Sequence, residues 1–114
     1  MSNIGGNITG RIQTQKTTKN RIYEDVAEWQ DAFSVKGWLG FQGGDKKYST
    51  YNAKIEESTH CFLCDFHSGI YALASQDTRM IIKGFKYDVL LIDNPDEMDE
   101  QLEIFLRRVG AENG

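Results

Sequence analysis

The sequence predicts an all-β fold, a small antiparallel β-barrel with one long loop between strands and room for a minor helix. Three observations predict it. Apolar residues recur at every second position through most of the chain, the period of a strand with one buried face. Gly-rich punctuation separates these runs, as at Gly40, Gly43-Gly44 and Lys83-Gly84. The chain is 114 residues long, which fits one domain, 1–114, with an insert at 42–57 and no internal repeat.

The elements follow in order. Ile8, Gly10, Ile12 and Thr14 lie against Thr9, Arg11, Gln13 and Gln15, a first strand. Lys16 to Glu28 is polar, with Asn20 and Asp25 giving it loop character. From Ala32 to Phe41 the alternation returns, with Phe33, Val35, Gly37, Leu39 and Phe41 on one face and Ser34, Lys36 and Trp38 on the other. Gln42 to Glu57 has no sustained period. A third strand over about Ser58–Phe66 puts His60, Phe62, Cys64 and Phe66 on one face, and His67-Ser68-Gly69 punctuates it. Residues 79–93 form a hairpin about a tight Lys83-Gly84 turn, stopped by Asn94-Pro95-Asp96. The last element, 101–109, is ambiguous. Leu102, Ile104 and Leu106 alternate as in a strand, whereas Met98, Leu102, Phe105 and Val109 share a helical face and Asn94-Pro95 would start a helix. Local signals lean to helix.

Composition removes several function classes. Apolar residues make up 39% and charged residues 26%, which excludes wholesale disorder. A net charge of −4 argues against a free-standing nucleic-acid binder. No run is apolar enough to span a bilayer, and the first residues lack the pattern of a signal peptide, so the expectation is cytoplasmic synthesis. Charge is uneven: residues 1–23 hold Arg11, Lys16, Lys19 and Arg21 without an acid, and 88–103 hold seven acids without a base. Two opposed poles would suit a subunit with unlike neighbours on its two sides; two solvated segments are the plainer account.

The strongest chemical lure is the run from His60 to His67, which holds Cys61 and Cys64 at x2 spacing. A zinc or redox pair of this kind needs a tight turn that brings both sulfurs to one point. Phe62 and Leu63 are strand formers, and strand positions three apart face opposite ways, so the sulfurs diverge. No metal and no cofactor are expected. Ser58-Thr59-His60 shows no activating arrangement, and the glycines at 37, 40, 43 and 44 lack the Lys-Ser/Thr end of a phosphate-binding loop. No catalytic residue is assigned and the chain reads as a non-enzyme. The remaining feature is 42–57 itself, a long aperiodic segment of the kind that usually carries function. Its Lys46, Lys47, Tyr48, Tyr51 and Lys54, hinged on Gly43 and Gly44, can meet phosphates and stack on bases or protein.

Taken in order, Gly10-Arg11-Ile12-Gln13, then Glu28-Trp29-Gln30-Asp31-Ala32-Phe33, then Ser58-Thr59-His60-x-Phe62 after a polar insert, and finally Arg79 to Val89 with Leu102-Glu103-Ile104-Phe105-Leu106, resemble the head–tail joining (head-closure, or stopper) proteins of long-tailed bacteriophages. The resemblance covers nearly the whole chain and rests on the order and spacing of the set; the Cys61–Cys64 pair is not part of it. It implies a small β-barrel that assembles as a homo-oligomeric ring in the virion neck, made in the host cytoplasm. The ring would sit beneath the portal-side adaptor, close the channel after DNA packaging and present the surface for a tail-completion protein. It implies that the 42–57 insert projects into the channel, where Gly43, Gly44, Lys46, Lys47, Tyr48, Tyr51 and Lys54 would meet the packaged DNA end. It also implies a strand, not a helix, for the last element. A tail-completion or tail-terminator subunit would share these features, and a small zinc or redox module is the alternative of another class.

Overall fold

A computed structural model describes residues 5–41 and 58–112. Six strands carry the chain: β1 (Ile8–Lys19), β2 (Asp25–Phe41), β3 (His60–Asp65), β4 (Thr78–Ile82), β5 (Phe85–Asp93) and β6 (Gln101–Ala111). Every neighbouring pair is antiparallel, and the order β1-β2-β3-β6-β5-β4 returns to β1, so the sheet closes into a ring. A closed sheet has no edge to protect, which spares a chain of this size the cost of covering one. A single helical turn, α1 (Ser68–Tyr71), and two 3-10 turns (Ser75–Asp77 and Pro95–Glu97) fill the connections.

The core is the inward face of these strands. Ile12, Phe62, Cys64, Met80, Ile82, Tyr87, Val89, Leu102, Ile104 and Leu106 are buried together with Ile70 of α1. The period-two reading therefore holds on β3, where His60, Phe62 and Cys64 are buried and the residues between them are only half-buried. It holds at the Lys83-Gly84 turn, whose φ angles of 50° and 81° are the left-handed pair of a type I′ hairpin. The last element is a strand. Its local helical signal is overridden because β6 hydrogen-bonds to β3 on one side and β5 on the other, closing the ring.

Two further expectations change. The polar stretch 16–28 is not a loop: β1 runs on to Lys19 and β2 begins at Asp25, so the two strands form one long hairpin with a tip at 20–24. Gln13 faces outward, opposite to Ile12 as the alternation predicts, but its bonds to Asp31 and Arg79 leave it only 8% exposed. The bulge beside it is on β2, where Ala32 is the extra residue, and β1 itself is not interrupted. The two charged segments do not form opposed poles. Strand direction brings the C-terminal part of β1, with Lys16 and Lys19, and the acidic turn between β5 and β6 to the same end of the barrel. Arg11 is paired to Glu112 and Asp31, and Lys19 to Asp25.

One glycine sets how closely the wall can pack. Gly37 is buried where β2 crosses from β1 to β3, opposite Ile8 and Cys64. A Cβ there would overlap the Leu63 carbonyl and come within 2.7 Å of the Phe62 ring, both held by core packing. Gly37→Ala is expected to cost about 3 kcal/mol or more, the upper range for overpacking, whereas Gly40→Ala, with open space around it, stays within about 1 kcal/mol. Urea denaturation of the two variants checks the difference.

Candidate functional site

The insert at 42–57 holds all the residues singled out above, Gly43, Gly44, Lys46, Lys47, Tyr48, Tyr51 and Lys54, and it lies outside the described residues. Its root is described. Phe41 ends β2, His60 opens β3, and the two are register partners, so the insert leaves and re-enters on adjacent strand ends. Phe41 is 88% exposed and its ring lies 4.8 Å from that of His60. His60 in turn meets Tyr87 edge-on at 5.2 Å. The guanidinium of Arg108 covers Phe85 at 4.1 Å and donates to the Tyr87 hydroxyl through Nη2 (2.6 Å) and Nε (3.2 Å). The result is an aromatic platform capped by one exposed arginine, the kind of surface that takes up an aromatic ring or an anionic group.

Thr59 ties this root together. Its Oγ1 accepts the Arg108 backbone N–H at 2.8 Å and lies 2.9 Å from His60 Nδ1. With one lone pair already used, the hydroxyl hydrogen is available to Nδ1, which suits a neutral imidazole protonated at Nε2. Burial, and then the positive charge of Arg108, hold the His60 pKa below its ordinary value. A lowered folded-state pKa means that the unfolded chain takes up the proton more readily. The stabilisation is therefore complete above the unfolded value, about 6.5, and is lost as pH falls through the folded one. Melting temperature should drop between neutral pH and pH 5 more steeply in the native protein than in His60→Phe; parallel profiles would remove His60 from this role.

The opposite end has two features. Beyond Thr14, which pairs with Thr78 of β4, the strands β1 and β2 pair only with each other among the described residues, from Gln15↔Trp29 to Lys19↔Asp25. At about 3.3 Å per residue this is an arm of roughly 15 Å. Its base is braced. The Gln13 amide donates to Asp31 Oδ1 and accepts from Arg79 Nε, both at 2.7 Å, and the Arg79 guanidinium lies 4.4 Å over the Trp29 ring. Beside that base lies a cleft of about 340 Å³ lined by Trp29, Gln76, Thr78, Asp88 and Leu90 among others. The second feature is the acidic turn. Asn94, buried, donates to Asp99 Oδ1 (2.8 Å) and accepts the Asp99 N–H, and Asp93 faces Glu103 directly across β5 and β6. Burial, reinforced by Asp93, raises the Glu103 pKa. The arm was hidden in the sequence by its polarity, although Thr17, Thr18 and Val26 are strand formers.

Cys61 and Cys64 stand where strand geometry puts them, Cys64 fully buried in the core and Cys61 half-buried on the outer face. Two sulfurs on opposite faces of one strand cannot share a metal. Burial above all, with nearby carboxylates, pushes Cys61 up to about 12 and Cys64 up to about 11. His67 acts locally. Its Nδ1 accepts the N–H groups of Gly69 (3.1 Å) and Ile70 (3.3 Å), capping α1, and its ring packs on Phe33. Among the described residues no three His, Cys, Asp or Glu side chains gather as metal ligands, and no helix is long and apolar enough to cross a membrane. Because the thiolate is the reactive form, Ellman's reagent at pH 8 should label neither cysteine in the folded protein and both after unfolding in guanidinium. Rapid labelling of the native protein would contradict the burial described.

Solved structures share this fold. The solution structure of protein SF1141 from Shigella flexneri 2a matches with a TM-score of 0.67 and 17% identity, over 91% of this chain and 93% of that one. A chain in the virion of a native gene transfer agent particle matches with a TM-score of 0.59 and 14% identity, over 92% of this chain and 96% of that one. No protein-family model and no curated protein matches the sequence. At these identities the likeness is one of fold, and in both cases it runs nearly end to end.

Proposed function

We propose that this chain is a structural, non-enzymatic virion protein, the head-closure subunit of a tailed-phage neck. The observation that carries the reading is the end-to-end likeness of fold to a chain of a gene transfer agent virion, a phage-like particle. It agrees with the order of sequence features that resemble head–tail joining proteins. In this reading the protein forms a ring between a portal-side adaptor and a tail-completion protein. The 42–57 insert of each subunit points toward the channel axis, where Lys46, Lys47 and Lys54 meet the phosphates of the packaged DNA end and Tyr48 and Tyr51 pack insert against insert.

The form of the described residues suits that role. The insert starts and ends at one end of the barrel, on the platform of Phe41, His60, Tyr87 and Arg108. The arm and the acidic turn stand at the other. A subunit with chemically different ends can meet different neighbours above and below it. A tail-completion subunit would use the same form, and the difference lies in what fails when the insert is lost.

The test replaces 42–57 with a short Gly-Ser turn joining Phe41 to Ser58 and follows particle assembly. Normal incorporation with leakage of packaged DNA is the expected outcome. If DNA is retained and only tail attachment fails, the insert is a docking surface and the head-closure reading is wrong. Because contacts between lysines and phosphates release counterions, leakage from native heads should grow with salt, whereas heads carrying Lys46→Ala, Lys47→Ala and Lys54→Ala should leak more at low salt and respond to added salt less.

A further inference from the structure

The tip of the arm presents two large apolar side chains to solvent, Ile22 at 71% and Tyr23 at 82% exposure. They are not a loosely held accident of the turn. The Asn20 side-chain oxygen accepts the N–H groups of Ile22 and Glu24, each at 3.0 Å, and the Asn20 carbonyl accepts the N–H of Tyr23 at 3.0 Å. These bonds hold Tyr23 at a φ of 62°, a region that a bulky aromatic residue seldom occupies. The turn is thus built so that its apolar pair points away from the strands. An extended two-stranded ribbon keeps that pair at a distance from its own base, so whatever covers it belongs to another molecule.

A matching receptor lies on the same chain. The cleft beside the arm base has apolar walls in Trp29, Val89 and Leu90 and hydroxyl or amide groups from Ser75, Gln76 and Thr78. Asp88 on its wall is paired to Arg107, and the exposed Asp77 beside it supplies the acidic margin. The tip carries Arg21 next to the apolar pair, while Lys19 is held by Asp25 of the same arm. A phenol with a basic neighbour complements an apolar cleft with an acidic margin. Tip and cleft are different surfaces, so the contact is head-to-tail: each copy gives a tip to one neighbour and takes one from the other, the pattern that generates a ring when its rotation closes.

We propose that Ile22 and Tyr23 of one copy seat in the cleft bounded by Trp29, Thr78, Asp88 and Leu90 of the next, and that this arm contact joins neighbouring subunits. The inference rests on the ring in the reading above, to which it adds the contact itself. Each junction buries one tip, so the contact is weak in isolation and strengthens when the ring is templated.

Disulfide trapping tests it. The full chain carries Tyr23→Cys with Gln76→Cys, and the native thiols stay in place because burial keeps them protonated. Mild oxidation of a concentrated sample should give a ladder of dimers, trimers and larger linked species, and Gln76→Cys alone should give none. Adding Ile22→Ser lowers the ladder yield about tenfold, since one buried apolar side chain is worth about 1.5 kcal/mol or more, while the melting temperature stays unchanged. No ladder, or a ladder indifferent to Ile22, overturns the arm contact. The two readings separate in assembled particles. If Ile22→Ser with Tyr23→Ser enters particles as well as the native chain does, the arm contact is wrong and the neck reading stands. A ladder from a chain that enters no particle upholds the contact and refutes the neck reading.

Discussion

Closure of the sheet rests on β1, which must pair with β2 along one edge and with β4 along the other. The first pairing is local, a hairpin. The second joins Gly10–Thr14 to Thr78–Ile82 across most of the chain and turns an open sheet into a ring. It places Ile12 beside Met80 at the centre of the core and brings Arg79 to Gln13 on the outer face. Without it β1 and β4 would both be edges, and the buried faces of β3, β5 and β6 would lose their opposite wall. Small residues make room for the closure. Gly10 stands against Met80 and Ile82, and Gly37 against Phe62, at positions where a side chain would push the strands apart.

One end of the barrel holds the root of the 42–57 insert, an exposed phenylalanine and an arginine anchored on a buried tyrosine. The other holds the arm, the cleft beside its base and the acidic turn. A bulge on β2, with Ala32 as the extra residue, links fold to arm: it sets Asp31 opposite Gln13 on the outer face, where Gln13 joins Asp31 of β2 to Arg79 of β4 just where β1 leaves the barrel. That bridge gives the two-stranded arm a fixed origin, which an isolated ribbon would lack.

Most strands were legible because their period is two and each has one buried face. β3 and the β4–β5 hairpin follow their apolar residues closely. What escaped was decided elsewhere in the chain. The arm has few apolar residues and is held by cross-strand pairing, of which the sequence carries only faint signs such as Lys19 opposite Asp25. Gln13 faces outward as its alternation says, and only its bonds to Asp31 and Arg79, from two other strands, explain its low exposure. The final strand carries a real helical pattern, and only its two partners decide against it; the family resemblance, not the local signal, pointed the right way. The histidines and cysteines drew attention by their spacing, yet His67 caps a turn, His60 stacks in a ring cluster and the two sulfurs lie on opposite faces. The residues proposed to reach the channel lie in the one segment whose period said nothing about its conformation.

The central claim is that the two ends of one closed β-subunit face different neighbours in a virion neck. Electron cryomicroscopy of particles assembled with this chain measures that directly. The account predicts a ring of this fold at the vertex where DNA leaves the head, with Phe41 and Ser58 turned toward the channel and Asn94–Glu100 turned toward a different protein. Density for the fold elsewhere in the particle, or the same neighbour at both ends, would contradict it.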